Sequence, residues 1–253
     1  MSKQEDRFVQ SVIRAVDILR CFEDDESLGL TEISRKIGLH KSTTFGLVST
    51  LVHASLLEKN QKSEKYQLGL GLFSLGTLVK HDLRSVVEPF LIQLVEQSKE
   101  TVNFVVRNGD SVMYISKIES PHSMRICTQI GRHLPLYCTA VGKAILAFLD
   151  ESEVRSILEA RPLEEFTGKT MTDAEEIIKT LPCIRAQGYA VDDEELEYGL
   201  TCVAAPIFNS QGKPIAGLSV SGPTSRMDQA LLDKCSILLR NYTSQISDKM
   251  KRR

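Results

Sequence analysis

A stretch near the N-terminus of this 253-residue chain predicts two short helices joined by a tight turn. Ile33 and Ile37 supply the apolar face of the first helix, and Thr31 is placed to cap its N-terminus. Gly38 follows, where a left-handed residue commonly ends a helix. A second, longer helix spans 42–54. Two helices with this connection are typical of the helix-turn-helix motif, whose second helix enters the major groove of DNA.

The second helix has two different faces. Its apolar stripe, predicted to pack inward, consists of Thr44, Leu47, Val48, Leu51 and Val52. Its opposite face carries Ser42, Phe45, Gly46, Ser49 and His53. A phenyl ring on that face suits contact with a thymine methyl group. Hydroxyl and ammonium groups at the helix start, together with free backbone N–H groups, suit phosphate.

A lysine-bearing hairpin follows the second helix. Residues 55–59 and 65–68 have the composition of two short strands around a polar turn. This order predicts a winged helix-turn-helix. Residues 31–68 hold six Lys or Arg against three Asp or Glu, a net charge of +3, whereas the whole chain has a net charge of -2. The charge therefore supports DNA binding by residues 31–68 and not by the chain as a whole. The alternative is that the hairpin is a charged β-loop used for protein contacts.

We expect operator DNA to be contacted by side chains from the two helices and the hairpin. The predicted set is Thr31, His40, Lys41, Ser42, Thr43, Thr44, Phe45, Ser49, Lys59, Lys62 and Lys65.

The rest of the chain predicts an α+β domain with an antiparallel sheet. Two strand pairs surround Asn108–Gly109 and Ser210–Gly212, and helices lie between them. Thr172 and Glu175 form a capping-box pattern for one of these helices, which ends near Gly188. A helix over 70–80 is the expected connection between domains, and its glycine-flanked start is a candidate hinge.

The predicted boundaries are 8–69 for the winged helix-turn-helix domain, 70–81 for the linker helix and 82–253 for the second domain. Apolar residues make up 42% and charged residues 25% of the chain, as in ordinary globular proteins. The chain shows neither an apolar run of 18 residues nor an N-terminal signal pattern, so a cytoplasmic protein without a membrane partner is expected. The six cysteines show no CxxC pair and are expected to be free thiols.

Five motifs resemble those of the IclR-type (isocitrate lyase regulator-like) bacterial transcription regulators. Three of them are similar to the N-terminal domain of that family: AVDILRCF, GLTEISRKIGLHKSTTFGLVSTLVHASLLEK and YQLGLGLFSLG. GRHLPLYCTAVGKAILAFL and GYAVDDEELEYGLTCVAAPIFNSQGKPIAGLSVSGPTSR are similar to its effector-binding domain. The resemblance covers nearly the whole chain and implies a GAF/PAS-like fold for the second domain.

The resemblance also implies a pocket for a small carboxylate, sugar acid or related metabolite. Its residues would be Ala140, Val141, Gly142, Asp192, Cys202, Ser219 and Ser221. Ser219 and Ser221 are two residues apart and therefore share one sheet face. Backbone N–H groups near Gly142 would suit an anion, and Asp192 would bond a hydroxyl or a protonated group. Cys202 is equally compatible with ordinary core packing.

The expected function is that of a sequence-specific DNA-binding regulator, foremost a repressor of a catabolic operon that is relieved by a metabolite. The partners would be double-stranded operator DNA, the effector and further copies of the chain in a homodimer or homotetramer. An activator is the alternative within the family. Relatives commonly carry Arg where this chain has Gly46, so either the helix approaches the bases more closely there or specificity shifts to neighbouring side chains and the wing.

A metabolite-processing enzyme with an added winged helix is the alternative from another class. Cys202 could act as a nucleophile and the acidic run 192–195 as acid, base or metal ligand. His122 with Cys127 and His133 with Cys138 repeat one spacing, but four ligands on one element are not evident. We therefore expect no catalysis, no metal and no cofactor.

Overall fold

The computed structural model describes residues 8–23, 25–78 and 83–251, and its contacts divide the chain into two compact units, one up to His81 and one from Asp82. The N-terminal unit contains α1 (Gln10–Arg20), α2 (Leu30–Lys36), α3 (Lys41–His53), β1 (Leu57–Lys59), β2 (Tyr66–Leu68) and α4 (Leu70–Thr77). β1 and β2 form an antiparallel hairpin. The predicted winged helix-turn-helix is confirmed.

The core of the N-terminal unit joins the three helices to the hairpin. Ile18 of α1, Ile33 of α2 and Val48 of α3 are fully buried, and Leu57 and Tyr66 cover them from the hairpin. Their positions follow from the spacing of apolar residues in each helix. Gly38 has a φ of 66° in the turn between α2 and α3, as its sequence position indicates.

The start of α2 differs from the prediction that Thr31 caps it. The helix begins two residues earlier than that cap would place it, at Leu30, and Gly29 is the N-cap residue. The Glu32 carboxylate accepts a hydrogen bond of 2.6 Å from the Gly29 N–H. An acid in the first turn satisfies a backbone donor and interacts favourably with the helix dipole, so Thr31 is not needed as a cap.

Two further features of the N-terminal unit were not anticipated. The apolar side chains of Val12, Ile13 and Val16 on α1 are exposed, because α1 packs inward through Ile18. The glycines at the start of α4 are held rather than hinge-like. The Gly71 N–H donates to the Ser55 carbonyl at 2.9 Å, and a Cβ atom on Gly69 would lie 2.3 Å from that same oxygen. Close backbone packing explains both glycines.

The predicted linker helix ends at Thr77, and residues 79–81 of the prediction lie outside the described residues. The C-terminal unit contains α5 (Leu83–Ser98), β3 (Thr101–Asn108), β4 (Ser111–Ile118), β5 (His133–Pro135), α6 (Ala140–Leu146), α7 (Glu151–Glu159), α8 (Ala174–Gln187), β6 (Ala190–Asp193), β7 (Leu200–Phe208), β8 (Pro214–Pro223) and α9 (Gln229–Lys251).

The six strands form one antiparallel sheet in the order β5-β4-β3-β8-β7-β6. Helices cover both faces of the sheet. α5 and α9 pack on one face against residues such as Phe104 and Leu218, and α6 packs on the other, where Val105 and Ala204 lie. Gly217 of β8 lets α6 approach closely, since a Cβ atom there would lie 2.5 Å from Val141. The predicted α+β fold with an antiparallel sheet is confirmed.

Two details of this unit correct the sequence-based expectations. The N-cap of α8 is Asp173 rather than Thr172, and its carboxylate accepts hydrogen bonds from the N–H groups of Glu175 and Glu176 at 2.8 and 3.1 Å. The short edge strand β5 was not predicted, because three residues are too few for a recognisable alternation.

Candidate functional site

The exposed face of α3 forms the first candidate site. Ser42, Phe45, Gly46, Ser49 and His53 all lie on the outside of the helix, opposite the buried Val48 and Leu51. Phe45 is 55% exposed. A phenyl ring exposed on this face is placed where it could pack against a thymine methyl group.

Thr44 is an error in the predicted set of DNA contacts. It is fully buried, and its hydroxyl donates to the His40 carbonyl at 3.1 Å. Thr44 therefore stabilises the first turn of α3 from the inside. Successive residues of an α-helix are rotated by about 100°, so Thr43 faces outward instead, where it is exposed together with Lys41.

The start of α3 presents polar groups without a side-chain cap. His40 is the N-cap residue, and its side chain makes no capping hydrogen bond. Its ring nitrogen lies 3.4 Å from the Ser42 hydroxyl. The first backbone N–H groups of a helix have no acceptor within the helix, so this end is suited to a phosphate.

The lysines of the hairpin differ in how far their charges are compensated. Lys59 forms an ion pair with Glu64, and Lys65 lies 3.7 Å from the Glu32 carboxylate. Lys62 and Lys41 form no ion pair with any of the described residues. Exposed pairs of this kind are weak and exchange readily for other partners. The remaining predicted residue of this unit, Thr31, is half-buried on α2.

The second candidate site is a cavity between α6 and the sheet. It holds about 570 Å³ of empty space, part of it open to solvent. Six of the seven residues predicted for an effector pocket line it: Ala140, Val141, Asp192, Cys202, Ser219 and Ser221. They come from α6 and from three neighbouring strands, because the strand alternation turns these side chains to the α6 face.

Gly142 does not line the cavity, contrary to the prediction. Its N–H donates to the Thr139 hydroxyl at 3.1 Å, so it is unavailable to a ligand. A Cβ atom at this position would lie 2.2 Å from the Leu136 carbonyl oxygen. Gly142 therefore serves the close packing of the turn before α6, which accounts for its place in the motif without a binding role.

Asp192 is a buried ionisable group of the cavity. Its side chain lies at the end of β6 and is 1% exposed. Burial raises the pKa of its carboxyl to about 7, although one oxygen accepts a hydrogen bond of 2.8 Å from the Glu195 N–H. Near neutral pH this group exists both as a hydrogen-bond donor and as a carboxylate, which suits a ligand hydroxyl.

Cys202 lacks the properties of a nucleophile. It is buried beside Asp192 in the sheet register, and burial raises the pKa of its thiol far above the ordinary value. A reactive cysteine needs the thiolate form, which this environment disfavours. No cluster of three or more His, Cys, Asp or Glu within the described residues could hold a metal ion. His133 instead contacts the Ser111 hydroxyl at 3.1 Å.

Several cavity residues were missed by the sequence reasoning. Tyr114, Thr128, Gln129 and Arg132 line the cavity from β4 and from the irregular segment after it. Arg132 is the one basic side chain among the described residues of the lining. Nothing in the spacing of the segment indicated these residues, because an irregular loop has no period that places its side chains.

A winged helix-turn-helix with an exposed recognition face and an α+β domain with a partly polar cavity together define a ligand-responsive DNA-binding protein. The family model described as "IclR helix-turn-helix domain" matches residues 11–61, and the model "Bacterial transcriptional regulator IclR C-terminal" matches residues 75–248. The chain belongs to the IclR family of bacterial transcriptional regulators.

Two relatives and one solved structure illustrate this membership. The chain is 37% identical to the HTH-type transcriptional regulator KdgR of Escherichia coli strain K12, over 99% of this chain and 95% of KdgR. It is 35% identical to the HTH-type transcriptional repressor AllR of the same strain, over 94% of this chain and 89% of AllR. The crystal structure of an IclR-type regulator from Alicyclobacillus acidocaldarius superposes with a TM-score of 0.85 at 30% identity, covering 95% of this chain and 98% of that one.

Proposed function

We propose that this regulator represses a catabolic operon and that a small acidic metabolite, bound in the C-terminal cavity, relieves repression. The domains are 8–69 for DNA binding, 70–81 for the linker and 82–253 for the effector. Support for repression comes from the relative AllR, which is named a repressor. Support for an effector comes from the cavity, which is lined by six of the seven residues predicted for an effector pocket.

For the DNA interface we propose the predicted set without the buried Thr44. The recognition face of α3 supplies Ser42, Phe45 and Ser49, with the phenyl ring of Phe45 against a thymine methyl group. His40, Lys41 and Thr43 hold phosphate at the helix start, and the free charge of Lys62 supports a further phosphate contact from the wing. Lys59 and Lys65 contribute after exchanging their carboxylate partners. Thr31 is a peripheral contact, and Thr44 is left out.

For the effector we propose an acid that also carries a hydroxyl group. Arg132 is basic and exposed at the rim of the cavity, so it is suited to bind the carboxylate of the effector. Asp192 is buried at the inner end and is suited to bond the hydroxyl of the effector. Ser219 and Ser221 lie between Arg132 and Asp192 on one strand face. A sugar acid has this combination of groups. Cys202 packs against the ligand without reacting with it.

We further propose that the chain acts as a homodimer or homotetramer without catalytic activity in the cytoplasm. The exposed apolar residues of α1 and α4 support an oligomer, since Val12 is 60% and Phe73 is 73% exposed. No helix of the described residues combines the length and apolarity needed to cross a membrane. A dimer places two recognition helices on a palindromic operator, as helix-turn-helix proteins require.

Electrophoretic mobility shifts with the DNA upstream of the protein's own gene test the proposal. We expect salt-sensitive binding that survives excess competitor DNA and is reversed by an acid identified in a thermal-shift screen of small carboxylates, sugar acids and ureides. Absence of competitor-resistant binding would refute the DNA-binding role. Binding that no stabilising acid weakens, and that some acid strengthens, would favour activation instead.

A further inference from the structure

Asn103 lies in the middle of a row of polar side chains that crosses the sheet beneath the cavity. It is fully buried in β3 and faces Ser219 of β8 in the strand register. Ser221 of β8 in turn faces Cys202, and Cys202 faces Asp192. Asn103 does not line the cavity itself. A buried carboxamide without access to the ligand must have its bonding groups satisfied by the protein.

The bonds of Asn103 are directed at the two predicted effector serines. Its amide nitrogen donates to the Ser219 hydroxyl oxygen at 3.2 Å and to the Ser221 hydroxyl oxygen at 3.3 Å. A carboxamide has two hydrogens, and both are used here. Each serine oxygen therefore accepts from Asn103, and the single hydrogen of each hydroxyl is left for another acceptor.

The carboxamide oxygen of Asn103 is hydrogen-bonded to a residue in the wall of the cavity. The Thr128 hydroxyl donates to the Asn103 oxygen at 2.6 Å, which fixes the orientation of the amide. Thr128 belongs to the irregular segment that also brings Ile126 and Gln129 to the cavity. Thr101, two residues before Asn103, separately anchors this segment by donating to the Ile126 carbonyl at 2.9 Å.

We propose that Asn103 is a positioning residue of the effector site, which holds the Ser219 and Ser221 hydroxyls as hydrogen-bond donors for an acceptor oxygen of the effector. Ser219 has the freer hydrogen, since it faces Ala204 in the strand register, whereas Ser221 faces the polar side chain of Cys202. A ligand with a carboxylate or carbonyl oxygen at this position would accept these hydrogen bonds. This inference rests on the proposed effector function of the cavity.

The test compares an acid with a neutral polyol of the same carbon chain. D-Gluconate and D-sorbitol are titrated calorimetrically into the full chain and into the variants Asn103→Leu and Thr101→Val. Asn103→Leu keeps the side-chain shape and removes the bonds to both serines. We expect it to lower the affinity for gluconate at least tenfold and the affinity for sorbitol less than threefold. Thr101 faces Ser221 in the strand register, but its hydroxyl bonds the Ile126 carbonyl and not the serine. Thr101→Val therefore loosens the same wall and leaves the bonds from Asn103 to both serines in place, so its preference for gluconate over sorbitol should stay unchanged.

Equal losses for both ligands in Asn103→Leu, or the same change of preference in Thr101→Val, would show a merely structural role and overturn the inference. If Asn103→Leu does not fold, Asn103→Asp replaces it, because it keeps the shape and the bond from Thr128 but gives the serines an acceptor. The same loss of preference is expected. If the unaltered chain binds no gluconate and no other sugar acid, the proposed acid effector fails as well, and that result is distinct from an unaffected variant.

Discussion

Gly46 provides the sharpest test of the DNA-binding face. It lies in the middle of α3, where glycine is about 1 kcal/mol less favourable than alanine. The fold does not require the glycine, because a Cβ atom built there meets nothing within 4 Å and the residue is exposed. Gly46→Ala should therefore raise the free energy of unfolding of the N-terminal unit by about 1 kcal/mol. For a unit of this size that is roughly a 4–8 °C rise in the unfolding temperature.

The same substitution should weaken operator binding. If α3 lies in the major groove, a residue next to Phe45 without a side chain lets the helix backbone approach the base edges closely. A methyl group at this point would separate the surfaces and cost about 1.4 kcal/mol, a tenfold loss of affinity. Larger side chains, introduced as Gly46→Ser and Gly46→Leu, should weaken binding further in order of size.

Gly76→Ala is the matched control. Gly76 is also an exposed helical glycine with no atom within 4 Å of a built Cβ, but it belongs to α4 and not to the recognition helix. The substitution Gly76→Ala should stabilise the protein without changing operator affinity. Calorimetric unfolding and fluorescence anisotropy with labelled operator measure the two quantities. If Gly46→Ala stabilises the chain and leaves DNA affinity intact, close approach at this position is refuted.

Three further outcomes test the two sites, and a fourth tests the oligomer contact. Lys41→Ala combined with Thr43→Ala should weaken operator binding at least tenfold in a mobility shift, with an unfolding temperature nearly unchanged; an equal loss of stability would make both residues structural. Ser219→Ala combined with Ser221→Ala should abolish the effector response but keep DNA binding, and an unchanged response in a reporter assay would contradict the site. Burial raises the pKa of Asp192, so its folded form binds a proton more tightly and stability is lost as the pH rises from about 4 to about 7. Relative to Asp192→Asn, the unaltered chain should lose about 2–3 kcal/mol between pH 5 and pH 8 in urea unfolding, and parallel curves would refute the raised pKa. Val12→Asp on the exposed face of α1 should shift sedimentation toward the monomer, and an unchanged sedimentation coefficient would move the oligomer contact elsewhere.

Local patterns predicted the fold well at positions where only one kind of residue fits the backbone conformation. Gly38 and Gly188 end their helices in the left-handed conformation, and Asn108–Gly109 joins β3 to β4 as the hairpin pattern indicates. Caps were less predictable, because several neighbouring polar residues can serve. Glu32 does the work expected of Thr31, and Asp173 does that expected of Thr172.

The candidate sites were predictable only in part, since both depend on contacts between distant elements. The resemblance to the IclR-type regulators implied the cavity residues of α6 and of the strands, whereas Arg132 and Thr128 come from an irregular segment that it did not single out. Asn103 escaped notice because its importance lies in a partner 116 residues away. A periodic pattern identifies which face a side chain occupies, but it does not identify what that side chain meets.

Two residues oppose the stability of the fold, and each belongs to a different proposed binding surface. Gly46 lowers the helix propensity of α3 although no neighbouring atom requires a glycine. Asp192 is a carboxyl group buried in the sheet, which favours its neutral form and costs free energy at neutral pH. Stability alone would select alanine at the first position and an uncharged residue at the second. Positions where a chain keeps such costs are typically functional, so the recognition helix and the cavity are each supported by evidence independent of the other.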